Sequence, residues 1–384
     1  MNKAKILRLA VAAAVAIAAI WFVRTRMPSD VSELSNVSVV QIGAVLPLTG
    51  EVASYGTGSK EGVEFAVKEA NQAQKKYRFE VTFEDSKGDP KTALNALQSL
   101  LATRNPVAIV GENVSSATLA MVPVIDSAMV VLISPSASAP SLSGMSPYFF
   151  RVFPSDTEEG AFMVNVIANR VPNAKVCVVY VNNDYGVGLK DVFVSGAKER
   201  GITVLNTFGY EKGATDFRPI LAKVKALEPN VVYIPSYYQD GATLLKQARE
   251  LGVTAGFWGG TTHEDPQFLI IAGEAAEGFH YPVAAAYDAE SSDAHVQSFV
   301  TSFHSSFGKE PGLLAALGYD SAKLIIDGVI KNGPSRDNVR EFIAEQKSYP
   351  GVSGTMTFDD EGEVHKQIRL RMVKDGRFVD VSTE

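Results

Sequence analysis

The chain has 384 residues, of which 46% are hydrophobic and 21% are charged, and it contains 20 Phe, 13 Tyr and a single cysteine. At roughly 100–200 residues per domain this length indicates two or three domains, and the apolar content excludes disorder. A lone cysteine excludes an internal disulfide scaffold. Residues 1–26 carry five basic side chains and no acid, so the rest of the chain holds 31 basic and 43 acidic side chains and a net charge of -12. An acidic body without a basic cluster argues against binding to nucleic acid.

The N-terminus has the pattern of a secretory signal. Residues 9–23 are fifteen consecutive apolar residues, and Lys3, Lys5 and Arg8 precede them. As a helix this run is about 22 Å long, shorter than the roughly 30 Å hydrocarbon core of a bilayer. We therefore predict export out of the cytoplasm, with residues 1–26 acting either as a cleaved signal peptide or as a retained membrane anchor. Residues 27–37 are interpreted as a spacer.

Strands and helices are predicted to alternate from Ser38 onward. Short β-type runs are separated by segments of helical periodicity, which predicts βαβ units, mostly parallel sheets and an α/β fold. The predicted strands are residues 39–46, 78–84, 107–110, 130–133, 175–181, 203–208 and 231–234. The first predicted helix follows Gly58, the second begins at Pro90 and the third begins within residues 111–118. The others cover residues 158–169, 188–200, 216–226, 240–251, 294–307, 313–331 and 336–346, before a β-rich tail at 356–381.

This alternation predicts two doubly wound, Rossmann-like lobes. The pattern restarts after Ser155, and the helices beyond Pro282 exceed what a second unit needs, which indicates that the chain returns to complete the first lobe. The predicted lobes are residues 38–155 plus 283–354 for lobe 1, and residues 156–282 plus 355–384 for lobe 2.

The motifs give no positive sign of catalysis. The five histidines show no metal-binding spacing, and no serine lies in a GxSxG nucleophile elbow. Gly56, Gly58 and Gly62 imitate a dinucleotide-binding fingerprint, but residues 47–55 separate them from the first strand, whereas a true fingerprint follows its strand directly. We interpret them as a flexible loop that lines a cleft. No catalytic residue, metal or cofactor is predicted, and the chain is not expected to be an enzyme.

Two loops rich in small polar residues follow consecutive predicted strands. The third strand leads to residues 111–118, where a helix is expected to begin with a serine cap. The fourth strand leads to residues 134–140, with the sequence SPSASAP. Ligands in open α/β sheets bind at the carboxyl ends of strands, and a helix N-terminus offers free N–H groups to an anion. The two loops therefore predict a binding site for an anionic group.

Tyrosines recur after three of the predicted strands. Tyr55 follows the first strand, Tyr185 follows the strand that ends at Val181, and Tyr237 follows the strand that ends at Ile234. A tyrosine offers an apolar face and a hydroxyl group, which suits the enclosure of a small amphipathic solute.

The order and spacing of several motifs resemble a known family. The motifs are residues 42–50 (IGAVLPLTG), Tyr55-Gly56, Glu84-Asp85, Asp89-Pro90, residues 115–118 (SSAT), 134–140 (SPSASAP) and 183–188 (NDYGVG), Asp216-Phe217, Tyr237 and residues 272–278 (AGEAAEG). Together they resemble the periplasmic leucine/isoleucine/valine-binding proteins, which are type I solute-binding components of ABC importers. The resemblance extends over residues 38–381.

The resemblance implies two lobes joined by three crossovers, a ligand held in the cleft between them, and closure on binding. It implies an ABC permease in the inner membrane as the partner of a monomeric chain, and a small amino acid or other carboxylate as its ligand. By position, the implied contacts are Ser115, Ser136 and Ser138 for the ligand carboxylate, Tyr55, Tyr185 and Tyr237 as cleft walls, and Asn113 and Leu314 near the ligand side chain.

One position departs from the family pattern. After residues 257–260 (FWGG), where the amino-acid binders place an acid for the ligand ammonium, this chain has Thr261. A buried ammonium without a carboxylate is unfavourable by several kcal/mol. Either another acid substitutes, or the ligand lacks an α-amino group and is an aromatic or oxo acid. The candidate substitute acids are Glu264, Asp265, Asp240 and Asp184.

A ligand sensor held at the membrane is a further alternative to transport.

Overall fold

The computed structural model describes residues 37–284 and 287–382. The predicted signal at residues 1–26 lies outside the described residues. Two large sheets form the framework of the described chain, each covered by helices, and this confirms the predicted α/β fold with two Rossmann-like lobes.

The first sheet is entirely parallel and forms the centre of lobe 1. Its strands lie in an order that runs from the second strand through the first to the third, fourth and fifth. The four-residue strands AIVG and VLIS are fully buried, as expected for a parallel sheet with both faces covered. The elements are β1 (Ser38–Leu46), α1 (Ala53–Ala73), β2 (Tyr77–Asp85), α2 (Pro90–Arg104), β3 (Ala108–Gly111), α3 (Ser115–Ala128), β4 (Val131–Ser134) and β5 (Phe149–Arg151).

The second sheet has the same kind of winding and forms the centre of lobe 2. Its first five strands pair in parallel, and helices separate them in the sequence. The elements are α4 (Asp156–Arg170), β6 (Lys175–Val181), α5 (Asp184–Glu199), β7 (Thr203–Tyr210), α6 (Arg218–Ala226), β8 (Val231–Ile234), α7 (Tyr238–Glu250), β9 (Gly256–Gly259), α8 (Pro266–Ala272) and β10 (His280–Val283).

The chain then returns to lobe 1, as predicted. A Cβ at Gly62 would lie 2.0 Å from the Ala315 carbonyl oxygen, and one at Gly318 would lie 2.2 Å from that of Ser59. The helices that carry these glycines therefore approach backbone to backbone. The returning elements are α9 (Ala294–Phe307), α10 (Leu313–Asn332), α11 (Arg336–Ala344) and a small antiparallel sheet of β11 (Tyr349–Gly351), β12 (Gly354–Phe358) and β13 (Val364–His365).

Two final strands complete the second sheet. Strands β14 (Arg369–Lys374) and β15 (Arg377–Val381) add to β10 in antiparallel pairing, which gives the order β15-β14-β10-β9-β8-β6-β7. The chain thus passes between the two large sheets after β5, after β10 and after β13, which agrees with the three expected crossovers. The third predicted lobe boundary, between residues 354 and 355, falls inside β12.

The glycines near residue 56 do not form the flexible loop that we predicted. They lie in α1, which already begins at Ala53. A Cβ at Gly56 would be 2.2 Å from the Pro47 carbonyl oxygen, and one at Gly58 would be 2.9 Å from Leu314 Cβ. Glycine lowers helix propensity, which is why the sequence suggested a loop, but here its missing side chain permits close packing.

Two further local predictions were wrong. Ser115 is the first residue of α3 and not its cap; the cap position is Val114, whose side chain makes no capping bond. Helix α5 begins at Asp184 and not near Gly188, because the Asn183 side chain accepts a hydrogen bond from the Gly186 N–H at 3.0 Å. Tyr185 consequently lies in the first turn of a helix.

Candidate functional site

A cavity lies between the two lobes. It is lined by all nine residues that the sequence indicated for ligand binding, and their role in binding stays a prediction. Six further residues share its wall. The nine are Tyr55, Asn113, Ser115, Ser136, Ser138, Tyr185, Tyr237, Thr261 and Leu314, and the six are Phe153, Glu159, Thr262, Glu264, Leu313 and Leu317.

The polar part of the lobe 1 side is formed by Asn113, Ser115, Ser136 and Ser138, which we call the serine wall. Ser115 Oγ accepts hydrogen bonds from the backbone N–H groups of Ser138 at 3.2 Å and Ala139 at 3.1 Å. Because this oxygen accepts both bonds, its own hydrogen can be donated to an anion in the cavity. Ser115 also opens α3, so the positive end of the helix dipole points to the same place.

Asn113 is the second organising residue of the serine wall. Its Nδ2 donates to Ser59 Oγ at 3.0 Å and to Ser136 Oγ at 2.9 Å, whereas its buried Oδ1 has no hydrogen-bond partner among the described protein atoms. A buried acceptor without a partner is unfavourable unless a ligand or water satisfies it. Asn113 can therefore offer an acceptor to a ligand.

Three buried tyrosines form one side of the cavity. Tyr185 stacks on Tyr237 with ring centroids 5.5 Å apart, and Tyr55 meets Tyr237 edge to face at 6.3 Å. The Tyr55 hydroxyl donates to the Thr262 carbonyl oxygen at 2.6 Å, and the Tyr185 hydroxyl lies 3.1 Å from Thr262 Oγ1. Burial raises the pKa of all three hydroxyls, which therefore stay neutral.

The lobe 2 side carries two carboxyl groups, Glu159 and Glu264, which together with Thr261 and Thr262 we call the acidic wall. Glu159 Oε1 accepts from the Thr261 N–H at 3.2 Å, and Oε2 accepts from the Thr261 hydroxyl at 2.6 Å. Burial raises the pKa of Glu159 to about 7, although both bonds from Thr261 lower it. Glu264 instead forms an ion pair with Arg371 and accepts a hydrogen bond from Tyr281.

Of the four acids considered as substitutes at the ammonium position, Glu264 alone lines the cavity. Asp265 caps α8 by accepting from the Gln267 N–H at 2.8 Å and also accepts from Ser54 Oγ at 2.7 Å. Asp240 lies in the first turn of α7, and Asp184 is exposed in the first turn of α5. None of the last three is a wall residue of this cavity.

Glu159 is a wall residue that the sequence did not reveal. Together with Asp156 and Glu158 it lies in the first turn of α4. Acids in the first turn of a helix are ordinary, because they offset the positive end of the helix dipole. The signal that distinguishes Glu159 is its contact with Thr261, which lies 102 residues away in the sequence.

The lobes touch each other across the cavity mouth. The Tyr55–Thr262 and Ser54–Asp265 hydrogen bonds join them, as does a bond of 3.0 Å from the Tyr238 hydroxyl to the Glu51 carbonyl oxygen. This is a closed arrangement of the two lobes. Among the described residues, no group of three or more His, Cys, Asp or Glu side chains is placed to hold a metal, and no helix is both long and apolar enough to cross a membrane.

A pair of α/β lobes around a closed cavity defines a two-lobed binding protein. Residues 39–377 match the family described as periplasmic binding protein, and the chain therefore belongs to that family. Its relatives confirm the resemblance to the leucine/isoleucine/valine-binding proteins. The leucine-, isoleucine-, valine-, threonine- and alanine-binding protein of Pseudomonas aeruginosa is 25% identical over 328 residues, which cover 85% of this chain and 87% of the relative.

Solved structures agree with the fold. The leucine-binding protein LivK from Thermotoga maritima superimposes with a TM-score of 0.83 at 27% identity, over 89% of this chain and 98% of that protein. LivJ from Streptococcus pneumoniae, a branched-chain amino acid transporter substrate-binding protein solved in complex with isoleucine, has a TM-score of 0.81 at 26% identity, over 90% of this chain and all of LivJ.

Proposed function

We propose that this chain is an extracytoplasmic solute-binding protein of an ABC importer, and that it encloses one small carboxylate-bearing ligand of the branched-chain amino acid type. The observation that carries the proposal is the closed cavity, where uncharged hydrogen-bond donors and a helix N-terminus face an apolar patch. The names of the relatives, which describe binding of leucine, isoleucine and valine, support the ligand class.

The proposed ligand orientation follows from the chemistry of the wall. The carboxylate lies against the serine wall, where it accepts bonds from the side chains of Ser115 and Ser138 and from the backbone of Ser136. The aliphatic group points to the apolar patch, which buries it from water. The stacked tyrosines cover the ligand. The apolar patch consists of Phe153, Leu313, Leu314 and Leu317.

The proposed role places the chain in the periplasm, where closing of the two lobes marks the loaded protein for an ABC permease. The proposed lobes are residues 38–155 plus 283–365 and residues 156–282 plus 366–384. The third boundary is moved from its predicted place at 354/355 to the end of β13, because β12 pairs with both β11 and β13. Residues 1–26 act as the export signal. The family to which the chain belongs supports both the compartment and the kind of partner.

A thermal-denaturation screen tests this proposal. A ligand present at 100 times its Kd adds about 2.7 kcal/mol of stability and raises Tm by several degrees. We expect this rise with leucine, isoleucine or valine and no rise with glycerol, which carries no carboxylate. If no amino acid and no organic acid raised Tm at millimolar concentration, the proposed function would be wrong.

A further inference from the structure

The Glu159 carboxyl group is buried in the cavity wall without a cation beside it. Glu159 is 1% exposed, and its carboxyl group accepts both of its hydrogen bonds from Thr261. No salt bridge among the described residues includes Glu159. The other cavity acid, Glu264, is paired with Arg371. Glu159 is therefore the wall carboxyl whose charge is not already balanced by a protein side chain.

A second buried acid lies near Glu159 and supplies no compensating cation. Asp156, one turn earlier in α4, is also fully buried, and burial together with the Glu159 charge raises the pKa of Asp156. A buried carboxylate is unfavourable unless a cation or several hydrogen bonds compensate it. A positive group in the cavity would supply that compensation. Such a group would have to be small and to lie on the lobe 2 side.

We propose that Glu159 is the counter-charge for a ligand ammonium group, and that the ligand of this cavity is an α-amino acid, not the corresponding oxo acid or an aromatic acid. This inference rests on the function proposed above. It assigns the acid to α4, although the family pattern would place it at position 261. Thr261 becomes a positioning residue that holds the Glu159 carboxylate.

The hydrogen bonds around Glu159 are compatible with this role. Each carboxylate oxygen can accept two bonds, and Thr261 supplies one to each oxygen. Each oxygen therefore keeps one acceptor position for an N–H of an ammonium group. Thr261 is fixed in turn, because its Oγ1 accepts from the Ala284 N–H at 3.2 Å. The carboxylate is thus oriented before a ligand enters.

The charge pattern of the cavity adds a second argument. The serine wall suits the ligand carboxylate, and the acidic wall faces it from the other lobe. A zwitterion satisfies both walls at once. An oxo acid would place its carbonyl oxygen on a side where the protein presents acceptors, and would leave the Glu159 carboxylate without a compensating cation.

Calorimetric titration with L-leucine and with 4-methyl-2-oxopentanoate, which has the same carbon skeleton without the amino group, tests the proposal. We expect the wild-type chain to bind leucine about 100-fold more tightly or better, because removal of one partner from a buried ion pair costs about 3–5 kcal/mol. Glu159→Gln should lose leucine affinity by a similar factor while its affinity for the oxo acid stays unchanged or improves.

Two further variants complete the design. Glu158→Gln makes the same chemical change one residue away, on a side chain that contacts His365 and not the cavity, and it should bind leucine like the wild type. Glu159→Asp keeps the charge on a shorter side chain, and it should bind leucine more weakly yet still prefer it to the oxo acid. If Glu159→Gln did not fold, Glu159→Asp would carry the test.

The outcomes separate this inference from the proposed function. If Glu159→Gln kept the wild-type affinity for leucine, or if the wild-type chain preferred the oxo acid, the role of Glu159 would be refuted while the carboxylate-binding function stood. Loss of the leucine preference in Glu159→Asp would also refute it. A wild-type chain that bound no amino acid and no organic acid would refute the proposed function itself.

Discussion

The serine wall and the acidic wall face each other across one cavity, but they present different chemical groups to it. The serine wall uses hydroxyl groups, an amide and backbone N–H groups, all without net charge. The acidic wall holds two carboxyl groups, the buried Glu159 and the half-buried Glu264. Lobe 1 can therefore bind an anionic group at any ordinary pH. What lobe 2 binds depends on whether its carboxyl groups are ionised.

The two walls also belong to different lobes, so their juxtaposition depends on closure. A carboxylate can meet the serine wall when only lobe 1 is in place, since α3 and the 134–140 loop follow β3 and β4, which are neighbouring strands of the same sheet. The ammonium of the proposed ligand meets Glu159 only once lobe 2 has closed. Discrimination between amino acids and other acids is therefore expected to arise in the closing step.

After the Glu159→Gln exchange described above, the largest effect is expected from the serine wall. Ser115→Ala removes the proposed donor to the ligand carboxylate, and it leaves the Ser138 and Ala139 N–H groups without their acceptor. A hydrogen bond to a charged group contributes about 1.5–3 kcal/mol, so ligand affinity should fall about 10- to 100-fold. Calorimetric titration should show this loss for leucine and for 4-methyl-2-oxopentanoate alike.

Ser116→Ala is the matched control, since Ser116 lies in the same helical turn but not in the cavity wall. It should bind both acids like the wild type. The serine wall is expected to recognise the carboxylate that both acids share. A Ser115→Ala variant with a reduced affinity for only one of the two acids would contradict this assignment.

The sequence predicted the serine wall well and the acidic wall poorly, and the reason is physical. Ser115, Ser136 and Ser138 follow neighbouring parallel strands, and the carboxyl ends of such strands must meet at one sheet edge. The position of Glu159 depends on how α4 packs against the turn at Thr261–His263, a contact between distant segments. No local pattern encodes that packing.

The α1 glycines illustrate the same limit within the fold. Their spacing differs from that of a dinucleotide fingerprint. The interpretation as a loop was wrong, because helix α10 supplies the packing that favours a glycine-rich helix. Strands and helices whose own periodicity is strong, such as β6 and α9, were predicted with their observed bounds. Short strands such as β5 have too few residues to show a pattern.

An intermediate effect is expected from pH. Burial raises the pKa of Glu159 to about 7 in the chain without ligand, and an ammonium group favours its ionised form. Above pH 7 the carboxylate is already ionised, whereas below pH 7 a proton must leave on binding. Leucine affinity should therefore fall as pH is lowered, on the order of tenfold between about pH 7 and about pH 5.5.

The neighbouring groups define how this pH dependence is read. Asp156, Tyr185 and Tyr233 lie close enough to Glu159 for its charge to act on them. Glu112, whose pKa burial raises to about 7, lies behind the serine wall. Affinity measured by calorimetry in Glu159→Gln should be nearly independent of pH over the same range. A pH dependence that persisted in this variant would assign the proton to another of these groups.

The smallest effect is expected from the bond that joins the lobes over the ligand. Tyr55→Phe removes the hydroxyl that donates to the Thr262 carbonyl oxygen and keeps the ring that packs on Tyr237. A neutral hydrogen bond contributes about 0.5–1.5 kcal/mol, so affinity should fall about two- to tenfold. Because this bond stabilises closure and contacts neither charged group of the proposed ligand, the affinities for leucine and for the oxo acid should fall by the same factor.

Stopped-flow measurement should show the loss as faster ligand release, while Tyr77→Phe, in β2 and outside the cavity wall, should leave release unchanged. A changed preference between the two acids in Tyr55→Phe would mean that the tyrosine takes part in discrimination, and that the two walls do not divide it as their chemistry indicates.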